Sequence, residues 1–119
     1  MTHLKKLAQF ERAVLLEETN KHYRNFAESV KSPRTLKTYN FALRLFLDYL
    51  KVSSLSGLLT SNPNLLESQI IDYIVFLKNQ KKVSYSHRDI SLAAIKPFFR
   101  MNDVELPWYK ISKYLGEDI

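Results

Sequence analysis

The chain has 119 residues, 45% of them hydrophobic and 25% charged, as in an ordinary soluble domain with its own core. It contains no cysteine, which excludes disulfides, thiolate zinc sites and cysteine nucleophiles. Only two glycines and four prolines occur, so the sequence favours long helices with short connections over a many-stranded β fold.

The net charge of +6 favours anionic partners such as nucleic acid, although general solubility explains it equally well. Apolar runs are far shorter than the roughly 20 residues of a membrane span. The first residues, MTHLKKLAQFER, lack the apolar core of a signal peptide. We therefore expect a cytoplasmic protein that does not contact a membrane.

Residues 3–31 show a weak helical stripe of apolar side chains without an interrupting glycine or proline. A break is expected near Thr19 and Asn20, because both residue types prefer caps and turns to helix interiors. The segment could pack on the core, bind a partner or form a semi-mobile extension. Packing or partner contact is favoured.

The strongest predicted helix is Ser32–Val52, with Ser32 as N-cap and Pro33 at the first helical position. Apolar residues cover most of its circumference, which predicts a central helix buried by neighbours on several sides. One narrow polar stripe remains, and its net charge is positive. This stripe consists of Lys37, Asn40, Arg44, Asp48 and Lys51.

Three segments follow a loop rich in Ser, Asn, Gly and Pro, whose leucines are expected to pack on the bundle. Asn64 is the predicted cap of a helix that ends near Lys81. The next helix is capped by Ser84 or Ser86, ends near Asn102 and bends at the interior Pro97.

The last predicted helix is short and starts just after Pro107. Trp108, the only tryptophan, is expected to fill the bottom of the core. The helix ends near Leu115 and is stopped by Gly116. Together these elements predict an all-α domain of four to five helices around one core. It comprises an N-terminal extension over 1–31 and a bundle over 32–116.

Residues that could perform catalysis are sparse and scattered. His3, His22 and His87 show no metal-binding spacing, and two glycines cannot form a phosphate-binding loop. Ser84 and Ser86 lie beside His87 without the sequence context of a nucleophile, so they are interpreted first as helix caps. We expect no cofactor, no metal, no small-molecule substrate and no enzymatic activity from this chain.

Two predicted helix starts combine basic and hydroxyl side chains, which are good ligands for phosphate. A helix lying in the major groove can also read base edges through its exposed side chains. For each residue the alternative is a solvated surface or a helix cap. These residues are Arg34, Thr35, Lys37 and Thr38 at one start, and Ser84, Tyr85, Ser86, His87 and Arg88 at the other.

The stretch SPRTLKTYNFALRLFLDYL resembles the first helix of the core-binding domain of tyrosine recombinases and phage-type integrases. The matching pattern is Thr-x-x-x-Tyr followed by Leu-x-x-Phe-x-x-Tyr-Leu. The segment around Pro97 is similar to the family's apolar-basic-x-Phe-Phe-Arg run, and ELPWYKISKYLGED resembles the passage into the catalytic domain of archaeal members. The matched positions are Thr35, Tyr39, Leu43, Phe46, Tyr49 and Leu50, then Ile95, Lys96, Phe98, Phe99 and Arg100.

The resemblance implies an orthogonal, SAM-like bundle that forms half of a clamp around double-stranded DNA. It also implies other recombinase protomers as candidate partners on the same DNA site. Catalysis in this family belongs to a separate domain, and 117–119 would begin the linker to it. His87 and Pro97 depart from the family pattern. The candidate DNA contacts further include Arg44, on the polar stripe of the Ser32–Val52 helix, and Lys96 and Arg100, on the polar side of the third long helix.

Two other functions remain open. A helical protein-interaction module would bind a partner helix on or beside residues 3–31. A helix-turn-helix regulator is permitted by the short junction at Val83 and Ser84, although the glycine expected in such a turn is missing.

Overall fold

The computed structural model describes residues 21–116, which contain five α-helices, two short 3₁₀ helices and no strand. The predicted all-α bundle is confirmed. The predictions for residues 1–20, including the break at Thr19 and Asn20, and for the linker over 117–119 lie outside the described residues. The α-helices are α1 (Lys21–Ala27), α2 (Pro33–Leu50), α3 (Pro63–Asn79), α4 (Tyr85–Arg100) and α5 (Trp108–Ser112), and the 3₁₀ helices are Leu55–Thr60 and Lys113–Leu115.

Helix α2 begins as predicted and ends slightly early. The Ser32 hydroxyl accepts a hydrogen bond from the Thr35 backbone N–H at 3.3 Å, and Pro33 occupies the first position. Lys51 adopts a left-handed conformation with φ of 59°, and the Val52 N–H bonds back to the Leu47 carbonyl. This left-handed cap ends the helix before Val52.

The starts of α3 and α4 follow the same capping rule. Asn64 was the wrong residue for the α3 cap: the Asn62 side chain accepts from the Asn64 N–H at 2.7 Å, with Pro63 at the first helical position. Ser84, rather than Ser86, caps α4 and accepts from the His87 N–H at 3.3 Å. Proline at the first position is favoured because its missing N–H would be unpaired there.

The core is built where α2 packs along α4, its most extensive helix partner. Helix α1 closes one end of this pair, because Phe26 is fully buried with its ring 6.4 Å from Tyr39 and 6.1 Å from Phe98. At the other half of α2, Tyr73 from α3 lies 5.0 Å from the Phe46 ring. Aromatic packing therefore connects four of the helices.

A polar contact also holds α1 on the end of α4. The Asn102 amide donates to the His22 carbonyl at 3.0 Å and to the Phe98 carbonyl at 2.8 Å. Its oxygen accepts from the Asn25 amide at 3.1 Å. The described part of the predicted N-terminal extension thus packs into the same core as the bundle.

The expectation that α2 is buried on several sides is wrong. Its buried residues lie on one face, whereas Phe41 is 59% exposed and Leu45 is 45% exposed. An apolar circumference does not by itself bury a helix: within residues 21–116, the buried face of α2 is the one that packs against α1, α3 and α4. Helix α4 is the more deeply buried, through Leu92, Ala94, Ile95, Phe98 and Phe99.

The C-terminal segment follows the prediction. Trp108 is buried with its ring 6.3 Å from Phe99, although its indole N–H has no hydrogen-bond partner.

Leu55 and Leu58 of the first 3₁₀ helix are buried, so the predicted loop does pack on the bundle. Gly116 follows Leu115 with a positive φ of 77°, which favours glycine. No helix within residues 21–116 is long and apolar enough to cross a membrane.

Replacing Phe98 with alanine tests the importance of the junction between α1, α2 and α4. Phe98 is fully buried, so Phe98→Ala is expected to lower the free energy of unfolding by about 3–5 kcal/mol. Urea denaturation measures the change. Leu65→Ala, at a side chain 51% exposed, is the control and is expected to shift stability by no more than about 0.5 kcal/mol. Equal effects of the two variants would contradict this packing.

Alkaline pH tests the burial of Tyr73. Burial, with the nearby charge of Asp48 as a smaller cause, raises the pKa of Tyr73 to about 12. The unfolded chain ionises this phenol near its ordinary pKa of about 10, so its stabilising contribution is complete below that pH and is lost as the pH rises toward 12. Unfolding measured across this window should show a smaller decline in Tyr73→Phe than in the wild type; identical declines would exclude this role.

Candidate nucleic-acid interface

The N-terminal half of α2 presents most of its predicted contacts to solvent. Arg34, Lys37 and Thr38 are exposed, and Thr35 is half-buried. The Thr38 hydroxyl donates to the Arg34 carbonyl at 3.2 Å, so its oxygen can still accept a hydrogen bond. The first turn of α2 contains no acidic residue.

The charges at this helix start oppose what folding alone would favour. The N-terminus of a helix has partial positive charge, so carboxylates stabilise it and nearby cations do not. Here Lys31, Arg34 and Lys37 surround the start of α2, and neither ion pair within residues 21–116 includes them. The local surface is therefore a site of unneutralised positive charge.

The polar stripe of α2 becomes less available toward its C-terminal end. The Arg44 guanidinium lies 3.2 Å from the Asp48 carboxylate, which partly neutralises it. The Asn40 side-chain oxygen accepts a hydrogen bond from the Tyr23 hydroxyl at 3.1 Å. Within the stripe, Lys37 and Lys51 are exposed and belong to neither ion pair of residues 21–116, and Arg34 adds a further exposed cation at the helix start.

Two predicted residues of α4 belong to the half of that helix that neighbours this end of α2. Phe26 touches both Tyr39 in the first half of α2 and Phe98 in the second half of α4, so these halves are neighbours. Lys96, which is half-buried, and Arg100, which is exposed, belong to that half of α4. They lie four residues apart and therefore share one side of the helix.

The predicted contacts at the start of α4 form a separate group. Fourteen residues separate Ser84 from Phe98, which corresponds to about 21 Å along the helix axis. Ser86 and His87 are exposed there, while the Ser84 hydroxyl is occupied as the cap. The two groups are therefore about one DNA diameter apart along α4, instead of forming one compact cluster.

Arg88 is a correction to the predicted set, because its side chain is only 6% exposed. Its Nε donates to the Leu115 carbonyl at 2.8 Å and its Nη1 to the Val83 carbonyl, also at 2.8 Å. Tyr85, itself half-buried, lies with its ring centroid 5.7 Å from the guanidinium. Arg88 thus joins the second 3₁₀ helix to the junction before α4, and its side chain does not project into solvent.

A second cation, Lys78, supports the same region, and its role was not predicted from the sequence. Its ammonium donates to the Tyr114 carbonyl at 3.1 Å, next to the carbonyl bound by Arg88. Cations at the C-terminal end of a helix satisfy its unpaired carbonyls and its negative partial charge. For Arg88 a sequence signal exists, since Leu92 and Ile95 follow at four and seven residues on the buried face.

No group of three metal-binding side chains occurs in the described part of the chain. Comparison with known proteins gives no family assignment: no family model, no curated protein and no solved structure matches this chain.

Replacing Arg88 with methionine separates its structural role from a DNA contact. Arg88→Met keeps much of the apolar stem but leaves the Leu115 and Val83 carbonyls without this donor. We expect the free energy of unfolding to fall by about 2–4 kcal/mol. The exposed Arg34→Met is the control, with a shift below about 0.5 kcal/mol. An Arg88→Met protein as stable as the wild type would contradict the role of these bonds.

Proposed function

We propose that this chain binds double-stranded DNA in a sequence-specific way as the core-binding domain of a tyrosine recombinase. The first half of α2 and the second half of α4 would face the duplex and position a recombination half-site. In this proposal the bond-breaking chemistry belongs to a separate catalytic domain, and the protein would be associated with cytoplasmic DNA.

The observation that carries the proposal is the unpaired positive charge at the start of α2. Lys31, Arg34 and Lys37 lie where cations oppose the helix dipole, so their placement is not explained by helix stability. Local choices that conflict with folding are expected at functional sites. A polyanion supplies the missing negative charge, and neutralising it releases counterions from DNA.

The dimensions of α2 also suit this partner. Its 18 residues span about 27 Å, and its exposed side carries basic and hydroxyl groups rather than carboxylates over the first two turns. The major groove, about 12 Å wide, admits one helix. Lys96 and Arg100 would then lie beside the groove, where phosphate contacts fix orientation.

The resemblance to the core-binding domain adds a second, independent line of support. Several of its motif positions have the burial expected for their residue type. Leu43, Phe46, Phe98 and Phe99 are buried, and Arg100 is exposed. A pattern of this kind is expected when the apolar motif positions maintain the bundle and the basic ones contact a ligand.

Salt-dependent binding to a mixed-sequence 30-base-pair duplex tests the proposal. Fluorescence anisotropy should show an affinity that falls steeply as salt rises. Lys37→Gln and Lys96→Gln should each weaken binding and reduce the slope of log affinity against log salt by about one, as expected for one lost phosphate contact.

The matched control is Lys110→Gln, the same substitution at an exposed lysine of α5. The Lys110 ammonium lies 2.9 Å from Glu67 of α3 and is already paired, so its loss should leave binding unchanged. Absence of binding at low salt would reject the DNA proposal. Equal binding by all three variants and the wild type would reject the proposed surface.

A further inference from the structure

Three exposed lysines lie where α2 and α3 end. Lys51 directly follows α2, and Lys81 and Lys82 come just after α3. The Tyr49 ring lies 5.0 Å from the Phe76 ring, so the last turns of the two helices pack side by side. The Lys81 N–H also donates to the Phe76 carbonyl at 3.1 Å. The three lysines therefore lie at one end of the bundle, and we call them the basic end.

Neither ion pair of residues 21–116 includes a lysine of the basic end. The carboxylate nearest to Lys51 along α2 is Asp48, and it is engaged by Arg44 at 3.2 Å. The first carboxylate after Lys82 in the chain is the exposed Asp89 of α4, seven residues further on. The basic end is therefore a second concentration of positive charge, separate from the start of α2.

Two of these lysines occupy backbone positions that favour glycine. The φ angle is 59° at Lys51 and 52° at Lys82. Other residues found in this left-handed conformation are mostly asparagine and aspartate, such as Asp103 after α4. A cation anywhere in the last turn would interact favourably with the helix dipole, so the dipole does not explain lysine at these positions. Local choices that conflict with folding are expected at functional sites.

The spacing along α2 matches the major groove of a duplex. Lys37 and Lys51 are fourteen residues apart, which is about 21 Å along the helix axis. At 100° per residue their directions differ by only about 40°, so both lie on one side of α2. The major groove is about 12 Å wide. A helix lying across it would bring Lys37 to one bordering strand and Lys51 to the other.

Resting on the proposed DNA-binding function, we infer that the basic end binds phosphates of the second strand, on the opposite border of the major groove from Arg34 and Lys37. Helix α2 then crosses the groove with cations at both ends, and contacts to both strands fix the orientation of the protein on the duplex. The separate group of predicted contacts joins the same surface, because Ser86 and His87 follow Lys82 by four and five residues.

Neutralising single phosphates tests which strand each end of α2 contacts. The tightest duplex selected from a random 30-base-pair library is resynthesised with one uncharged methylphosphonate at a time, and fluorescence anisotropy measures the affinity. Wild-type protein should lose roughly two- to fivefold in affinity at each contacted phosphate. These phosphates should form two groups, one on each strand that borders the same major groove.

Substitutions at the two ends of α2 should each remove one group of phosphates. Lys51→Gln and Lys82→Gln should weaken binding, become insensitive to methylphosphonates of one group and stay sensitive to those of the other. Lys37→Gln should show the reverse. The control is Lys110→Gln, whose ammonium is already paired with Glu67 and which should keep the wild-type pattern.

Glycine at the two left-handed positions separates binding from folding. The double variant Lys51→Gly with Lys82→Gly should lose sensitivity to the same group of phosphates. Its midpoint of urea denaturation should be no lower than that of the wild type, because glycine is favoured at positive φ. A double variant that is less stable but binds DNA like the wild type would assign these lysines to the helix ends and overturn the inference.

The remaining outcomes distinguish this inference from the proposed function. Failure of the wild type to bind any duplex rejects both. Sensitivity on one strand only, with Lys51→Gln and Lys82→Gln equal to the wild type, rejects the inference and leaves the DNA proposal intact. The inference is also overturned if sedimentation shows that these variants lose only a second bound duplex, or if they lose only binding to a polyglutamate peptide. The basic end would then bind a separate duplex or an acidic protein segment, respectively.

Discussion

Burial of Phe26 between α2 and α4 determines how the candidate DNA contacts are arranged. Its ring lies edge-on to Phe98 and also contacts Tyr39, so it fixes the first half of α2 beside the second half of α4. Edge-to-face aromatic packing of a fully buried ring is both apolar and directional. The neighbourhood of these two half-helices, one of which carries Lys96 and Arg100, depends on this one side chain.

The described cations fall into two groups: some bind backbone carbonyls within the protein, and others remain exposed to solvent. Arg88 and Lys78 use their charge inward, on the carbonyls at the end of the last helix. Arg34 and Lys37 keep theirs outward, at a helix start where they have no structural benefit. Net charge alone therefore overstates the positive surface, and the distribution of hydrogen bonds shows which cations are available to a ligand.

The sequence was sufficient to predict where the helices lie along the chain, but not how deeply each one is buried. Capping residues and proline positions predicted the start of α2, because these effects depend on a few neighbouring residues. The burial of α2 was predicted wrongly, because it depends on how many helices pack around it. The role of Arg88 was missed for the same reason: the carbonyl of Leu115 comes close only after the chain has folded.

The site was predictable to a similar extent. The exposure of Lys37 followed from the polar stripe, which is a property of one helix. The separation of Ser86 and His87 from that stripe depends on the direction in which α4 runs past α2, and this requires the contacts of Phe26. The exposure of Phe41 could not be predicted from neighbouring residues, because phenylalanine is a residue type usually found in the core.

The attachment of α1 to the end of α4 changes where the folding unit begins. A fragment starting at Ser32 would lack Phe26, leaving an aromatic cavity between α2 and α4, and would deprive the Asn102 amide of its bonds to His22 and Asn25. Both losses fall on the half of α4 that carries Lys96 and Arg100. A fragment that keeps these contacts therefore starts no later than His22, well before the motif by which the bundle resembles a core-binding domain.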